Sequence, residues 1–168
     1  MERTIVVSSV LEPVNFGYTV RMKWDDLETE ACPVARGLSV IGDRWTMLVL
    51  RDCFLGIRRF EQMQDRLGIT RHVLADRLRK LETTGVLRRD QYQDRPPRFE
   101  YRLTDKGKAL YPVLVSLITW AEENVPAPQQ SSITLLSRDT GKPIQPILTD
   151  ARTGKQITHR DVTAKRNG

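Results

Sequence analysis

Apolar positions recur at helical spacing along several stretches of the chain, with one stretch of strict alternation between them. The first helix starts at Cys32-Pro33, where the missing N–H of proline costs nothing, and Gly42 stops it after Ile41. Asp43 caps a second helix, Arg44 to about Phe54, whose buried stripe is Trp45, Leu48, Val49 and Cys53; Asp52 is left out of the stripe. After Gly56 a third helix, about Arg59 to Leu67, buries Phe60, Met63 and Leu67. Gly68 ends it, Ile69 packs inward, Thr70 caps a fourth helix reaching Thr84, and Gly85 stops that one. Two helices joined by a short turn containing glycine form a helix-turn-helix.

The alternation falls at Phe99, Tyr101 and Leu103, with Glu100 and Arg102 between them. This is a strand, and Val86 to Tyr92 is its antiparallel partner. The loop between, residues 93–98, is stiffened by Pro96 and Pro97. A hairpin in this position is a wing. Thr104 then caps a long helix to about Asn124, with Pro112 expected to kink it near Lys108. Its stripe of Leu110, Val113, Leu114, Leu117, Ile118 and Ala121 is wider than a small winged domain needs for its own core, which suggests a dimer helix. Simple packing within the chain is the alternative.

Pro126 to Gln130 reads as a linker. Beyond it, Thr140-Gly141-Lys142 and Thr153-Gly154-Lys155, each followed two residues later by isoleucine, form a weak repeat and predict two small hairpins. The expected fold is α+β, mainly α: a winged helix-turn-helix domain over 32–125, with a C-terminal dimerisation helix and a hairpin tail over 126–168. Residues 1–31 form an N-terminal extension without sustained periodicity. Met22 offers an alternative start, which would make residues 1–21 an upstream artefact; an ordered arm supporting a dimer is the competing reading.

Charge sharpens this picture. The net charge of +6 lies wholly within residues 57–108, which hold 14 Lys/Arg against 8 Asp/Glu. A localised basic excess suits a polyanion, because Lys and Arg displace counterions from phosphates. No apolar run is long enough to span a bilayer, and Glu2 stands where a signal peptide would want positive charge. We expect a cytoplasmic, nucleoid-associated protein with no membrane partner. Two cysteines, Cys32 and Cys53, make no disulfide framework and lack metal-site spacing.

With Leu74, Leu78 and Leu81 facing the core, the fourth helix turns His72, Asp76 and Arg79 outward, flanked by Val73, Ala75 and Lys80. Its first turn, Thr70 and Arg71, lies closest to base edges if the helix enters a major groove. Arg79 suits guanine, Ala75 a thymine methyl, and Thr70 or Lys80 a phosphate. Arg77, beside the buried stripe, suits an internal ion pair. Arg95 and Arg98 on the wing would reach a minor groove or its phosphates, and Arg59 completes the candidate DNA surface.

These residues resemble the HxlR-type winged helix-turn-helix regulators of bacteria. The resemblance rests on Cys32-Pro33-Val34-Ala35, Ile41-Gly42-Asp43-Arg44-Trp45-Thr46, Leu50-Arg51-Asp52 and Gly56-Ile57-Arg58-Arg59-Phe60. It continues through Gly68-Ile69-Thr70, Leu74-Ala75-Asp76-Arg77-Leu78, Leu81, Arg95-Pro96-Pro97 and Tyr101-Arg102-Leu103-Thr104-Asp105-Lys106-Gly107. It implies a homodimeric repressor or activator binding double-stranded operator DNA, often beside a neighbouring gene. Many relatives end in a pair of Cys-x-x-Cys metal knuckles, where this chain has Thr140, Asp150 and Thr153; no metal and no cofactor are expected.

Cys32 stands at a helix N-terminus, where the dipole favours thiolate. Some relatives look to sense oxidants or electrophiles through the cysteine of this Cys-Pro pair, which makes Cys32 a candidate redox-sensing residue; a small capping residue kept reduced is the plain alternative. Cys53, on an apolar face, reads as inert core. Neither His72 nor His159 is spaced to serve a nucleophile, so no enzyme is expected. A winged helix used only for protein contacts would lack the arginines of the fourth helix and wing.

Overall fold

The computed structural model of the chain describes residues 24–127 and 133–163. The candidate start region, residues 1–21, and part of the expected linker lie outside them. The described residues fall into two compact units that divide after Gly42.

In the first, a 3-10 helix over Trp24–Thr29 packs against α1, Pro33–Ile41. The Arg36 guanidinium donates to the carbonyls of Glu30 and Ala31, at 2.8 and 2.6 Å, and ties the two helices together. Leu27 and Ala35 are buried. Cys32 is the N-cap of α1, exposed, with no side-chain capping bond.

The second unit runs α2 Arg44–Phe54, α3 Phe60–Leu67, α4 Arg71–Thr83, β1 Leu87–Gln93, β2 Arg98–Leu103, α5 Asp105–Lys108 and α6 Tyr111–Asn124. The expected helix starts are realised through their caps. Asp43 accepts from the amides of Trp45 and Thr46 at 2.8 and 3.3 Å, and Thr70 accepts from Val73 at 3.4 Å. Gly68 closes α3 in the left-handed conformation, φ 63°, a shape that costs a side chain about 1 kcal/mol or more. The core gathers Val49 and Leu50 of α2, Met63 of α3, Leu74, Leu78 and Leu81 of α4, and Val86 and Leu87. Each such side chain contributes about 1.5–3 kcal/mol by burial.

Four expectations need correction. Of the stripe expected on α3 only Met63 is buried, while Phe60 and Leu67 are half-buried. The buried face of α2 is Thr46, Val49, Leu50, Asp52 and Cys53, whereas Trp45 and Leu48 are only half-buried. Asp52 is wholly inside because two cations come to it: Arg51 at 2.8 Å and Arg66 of α3 at 3.5 Å. A buried carboxylate so paired ties α2 to α3 instead of breaking the core.

The long helix after Thr104 is two helices. Thr104 caps only α5, accepting from the Gly107 amide and donating to the Gly85 carbonyl at 2.7 Å. Pro112 has no N–H for the Lys108 carbonyl, so the chain turns at Ala109–Leu110 and α6 restarts with the proline in its first turn.

The stripe of α6 also splits. Leu114 and Val115 are buried within the chain, Leu110, Ile118 and Ala121 are half-buried, and Val113, Leu117 and Trp120 are 45–56% exposed.

In the tail, two turns repeat with the same hydrogen bonds thirteen residues apart. Ser137 N–H bonds the Lys142 carbonyl, as Asp150 N–H bonds that of Lys155, and Ile144 and Ile157 close on Leu135 and Leu148. Each turn carries a single bridge, Leu136 with Pro143 and Thr149 with Gln156. Among the described residues no helix is long and apolar enough to cross a membrane.

Candidate nucleic-acid interface

The helical spacing of α4 sets its two faces. Leu74, Leu78 and Leu81 are at most 1% exposed, while Thr70, Arg71, His72 and Arg79 lie at the surface and Ala75, Asp76 and Lys80 on the half-exposed flanks. Asp76 sits between two neighbours, its Oδ1 3.2 Å from Arg79 Nη1 and its Oδ2 3.4 Å from His72 Nε2. The carboxylate therefore orients the Arg79 fork along the outward face. Arg77 turns inward to Asp43 at 3.4 Å, so one aspartate both caps α2 and holds α4 against it.

Beside α4, β1 and β2 pair antiparallel from Leu87↔Leu103 through Gln91↔Phe99, with an irregularity at Tyr92 before Gln93↔Arg98. The hairpin is anchored at its base, where Tyr101 N–H bonds the Arg58 carbonyl at 2.8 Å and Arg59 bridges Glu100. That pairing fixes the wing against the start of α3. At the tip, Gln93 Nε2 donates to the carbonyls of Arg95 and Pro96, and Gln91 Nε2 to Asp94. Arg95 and Arg98 are exposed.

Ion pairing sorts the arginines. Arg51, Arg66, Arg77, Arg79, Arg88 and Arg102 each have a carboxylate within 4 Å. Among the described residues Arg59, Arg71, Arg89, Arg95 and Arg98 have none, and all are exposed. Three of these lie over aromatic rings: Arg59 over Tyr92 at 4.6 Å, Arg71 over Phe60 at 4.7 Å and Arg89 over Phe99 at 3.7 Å. Cations held by stacking and free of carboxylates remain available to an outside anion. Arg89 and Tyr92 escape a reading of single elements. Their signal is the hairpin register, which sets Arg89 opposite Tyr101 and diagonal to Phe99.

Among the described residues no three His, Cys, Asp or Glu side chains gather as metal ligands. In the tail turns, side-chain oxygens accept backbone amides instead: Ser137 from Thr140, Thr140 from Lys142, Asp150 from Arg152 and Thr153 from Lys155.

The HxlR-like helix-turn-helix family matches residues 40–129. An uncharacterised HTH-type transcriptional regulator of Mycobacterium bovis is 42% identical over 130 residues, covering 77% of this chain and 82% of the relative. The solved structure of PA1607, a candidate transcription factor, aligns with a TM-score of 0.74 at 40% identity, over 83% of this chain and 98% of its own. The redox regulator HypR in its reduced form aligns at 0.52 and 33% identity, over 55% of this chain and 93% of its own. These relatives are regulators of transcription and not enzymes, and the family match over residues 40–129 takes in α2 to α6. The chain belongs to the HxlR-like helix-turn-helix family of transcriptional regulators.

Proposed function

We propose that this regulator binds double-stranded operator DNA sequence-specifically as a homodimer and represses transcription. The carrying observation is the surface of α4: three buried leucines hold the helix while Thr70, Arg71 and Arg79 stand outward, with Ala75 on the half-exposed flank, beside a wing tipped with Arg95. In this reading α4 lies in the major groove, with Arg79 on a guanine edge, and the wing over residues 93–98 lies on the minor groove or its phosphates. Lys80 and Thr70 serve the backbone.

Fluorescence anisotropy on DNA from the region upstream of its own gene, against scrambled DNA at two salt concentrations, tests it. Selective binding with a steep salt dependence is expected, and Arg79→Ala should cost about 1–3 kcal/mol on the selected duplex with little loss on scrambled DNA. Equal weak binding to both duplexes, by wild type and variant alike, would mean that the operator lies elsewhere or that the winged helix serves a protein partner, and a genome-wide selection separates the two.

Cys32 is the residue through which we propose that an oxidant or small electrophile acts. Its thiol is exposed at the first turn of α1, and a related fold serves the redox regulator HypR. The same anisotropy assay after mild peroxide or quinone should change for wild type and not for Cys32→Ser. No change in either removes this role.

A further inference from the structure

Behind the wing tip lies a cleft of about 230 Å³ between the starts of α3 and α4 and the inner face of the hairpin. Arg71 of α4, Arg89 of β1 and Arg98 of β2 line it, with Tyr92, Tyr101 and Glu61. Three separate elements thus bring one arginine each to a single concavity. None of the three has a carboxylate within ion-pair distance among the described residues, although acidic side chains neutralise arginines elsewhere on the same hairpin. Arg71 and Arg89 are further held by the rings of Phe60 and Phe99. Stacking leaves the guanidinium edges, which carry the N–H donors, free to form hydrogen bonds.

We propose that this cleft clamps one backbone phosphate of duplex DNA, set back from the wing tip and distinct from any contact to bases. Three guanidiniums against the one carboxylate of Glu61 leave the cleft cationic, and planar N–H pairs suit a phosphodiester oxygen pair. Tyr101 adds a hydroxyl at the wall; burial pushes its ionisation up, so it remains a donor. A phosphate seated here would lock the wing to the start of α4, fixing the register in which the outward face of α4 meets base edges. The inference rests on the DNA-binding reading above.

A phosphate clamp is independent of sequence, so an arbitrary labelled duplex tests it without knowledge of the operator. Affinity is followed over a salt series for wild type, Arg89→Gln, Arg89→Lys and Arg98→Gln, with circular dichroism and thermal melting as folding controls. Arg98→Gln carries the test if Arg89→Gln, which removes a stacked side chain, fails to fold. Each Gln variant is expected to weaken binding roughly tenfold on any duplex and to reduce the slope of log K against log salt, by at most the roughly 0.9 that one phosphate contributes. Arg89→Lys should restore most of the slope and only part of the affinity.

Wild type that fails to bind any duplex at low salt overturns both the DNA-binding reading and the clamp. Wild type that binds while both Gln variants keep its slope overturns the clamp alone. In that case calorimetry with inorganic phosphate decides the cleft's use: saturable binding lost in Arg89→Gln would assign it to a free anion.

Discussion

Cys53 lies on the buried face of α2 next to Asp52, and burial, reinforced by that carboxylate, pushes its thiol up from about 9 to about 12. In the unfolded chain the thiol ionises near 9, so between pH 9 and about 12 the unfolded state binds fewer protons than the folded one. Stability must therefore fall as pH rises through that window, by up to about 1.4 kcal/mol per pH unit from this group. Urea unfolding of wild type and Cys53→Ala should show it: the variant starts less stable at neutral pH, and the gap narrows above pH 9. Parallel curves would mean that Cys53 is not sealed in the core. At the same scale, Asp52 contradicts its residue type. A carboxylate at 0% exposure stands between Arg51 and Arg66, and its second oxygen has only the 3.5 Å contact to Arg66.

Among the elements, the junction of hairpin and α5 is held by hydrogen bonds and by one close backbone approach. Thr104 bonds the carbonyls of Gly85 and Val86, Lys106 bonds that of Thr84, and Gly107 is packed directly on Val86, the residue before β1. A Cβ at Gly107 would stand 2.2 Å from the Val86 carbonyl oxygen, backbone that cannot step aside. Gly107→Ala should accordingly destabilise the domain by about 1–3 kcal/mol or more, read as a lower melting temperature, with a loss of DNA affinity only in proportion to unfolding. A variant as stable as wild type would show that α5 can shift along the hairpin. Here the glycine is needed for close approach, not for an unusual φ.

For the whole molecule, α6 carries an apolar face that stays about half exposed. Val113, Leu117 and Trp120 follow one another at i, i+4 and i+7 and stay about half exposed, while Leu114 and Val115 supply the packing within the chain. An apolar stripe of this kind fits a second copy, in keeping with the proposed homodimer. Sedimentation velocity should find dimers at micromolar concentration, and Leu117→Lys should shift them to monomers with the melting temperature nearly kept. The dissociation should cost 2 kcal/mol or more, about the effect of a central interface residue that occurs twice. Monomeric wild type would return the stripe to an ordinary surface.

Local chemistry determined much of this protein in advance. The caps at Asp43, Thr70 and Thr104, the stops at Gly42, Gly68 and Gly85, and the leucine face of α4 depend on neighbours within a turn or two, and each stands where the pattern of residues puts it. The helix-turn-helix, the wing and the family followed from them. Tertiary structure decided the burial of Asp52, because the charge of its neighbour Arg51 is joined there by that of Arg66 from another helix. It likewise decided which face of α6 was consumed by the chain itself, and that Arg89 meets Phe99 across the hairpin. A hydrophobic period reports one element's own faces; pairing between elements depends on register and approach, which no single stretch of sequence contains.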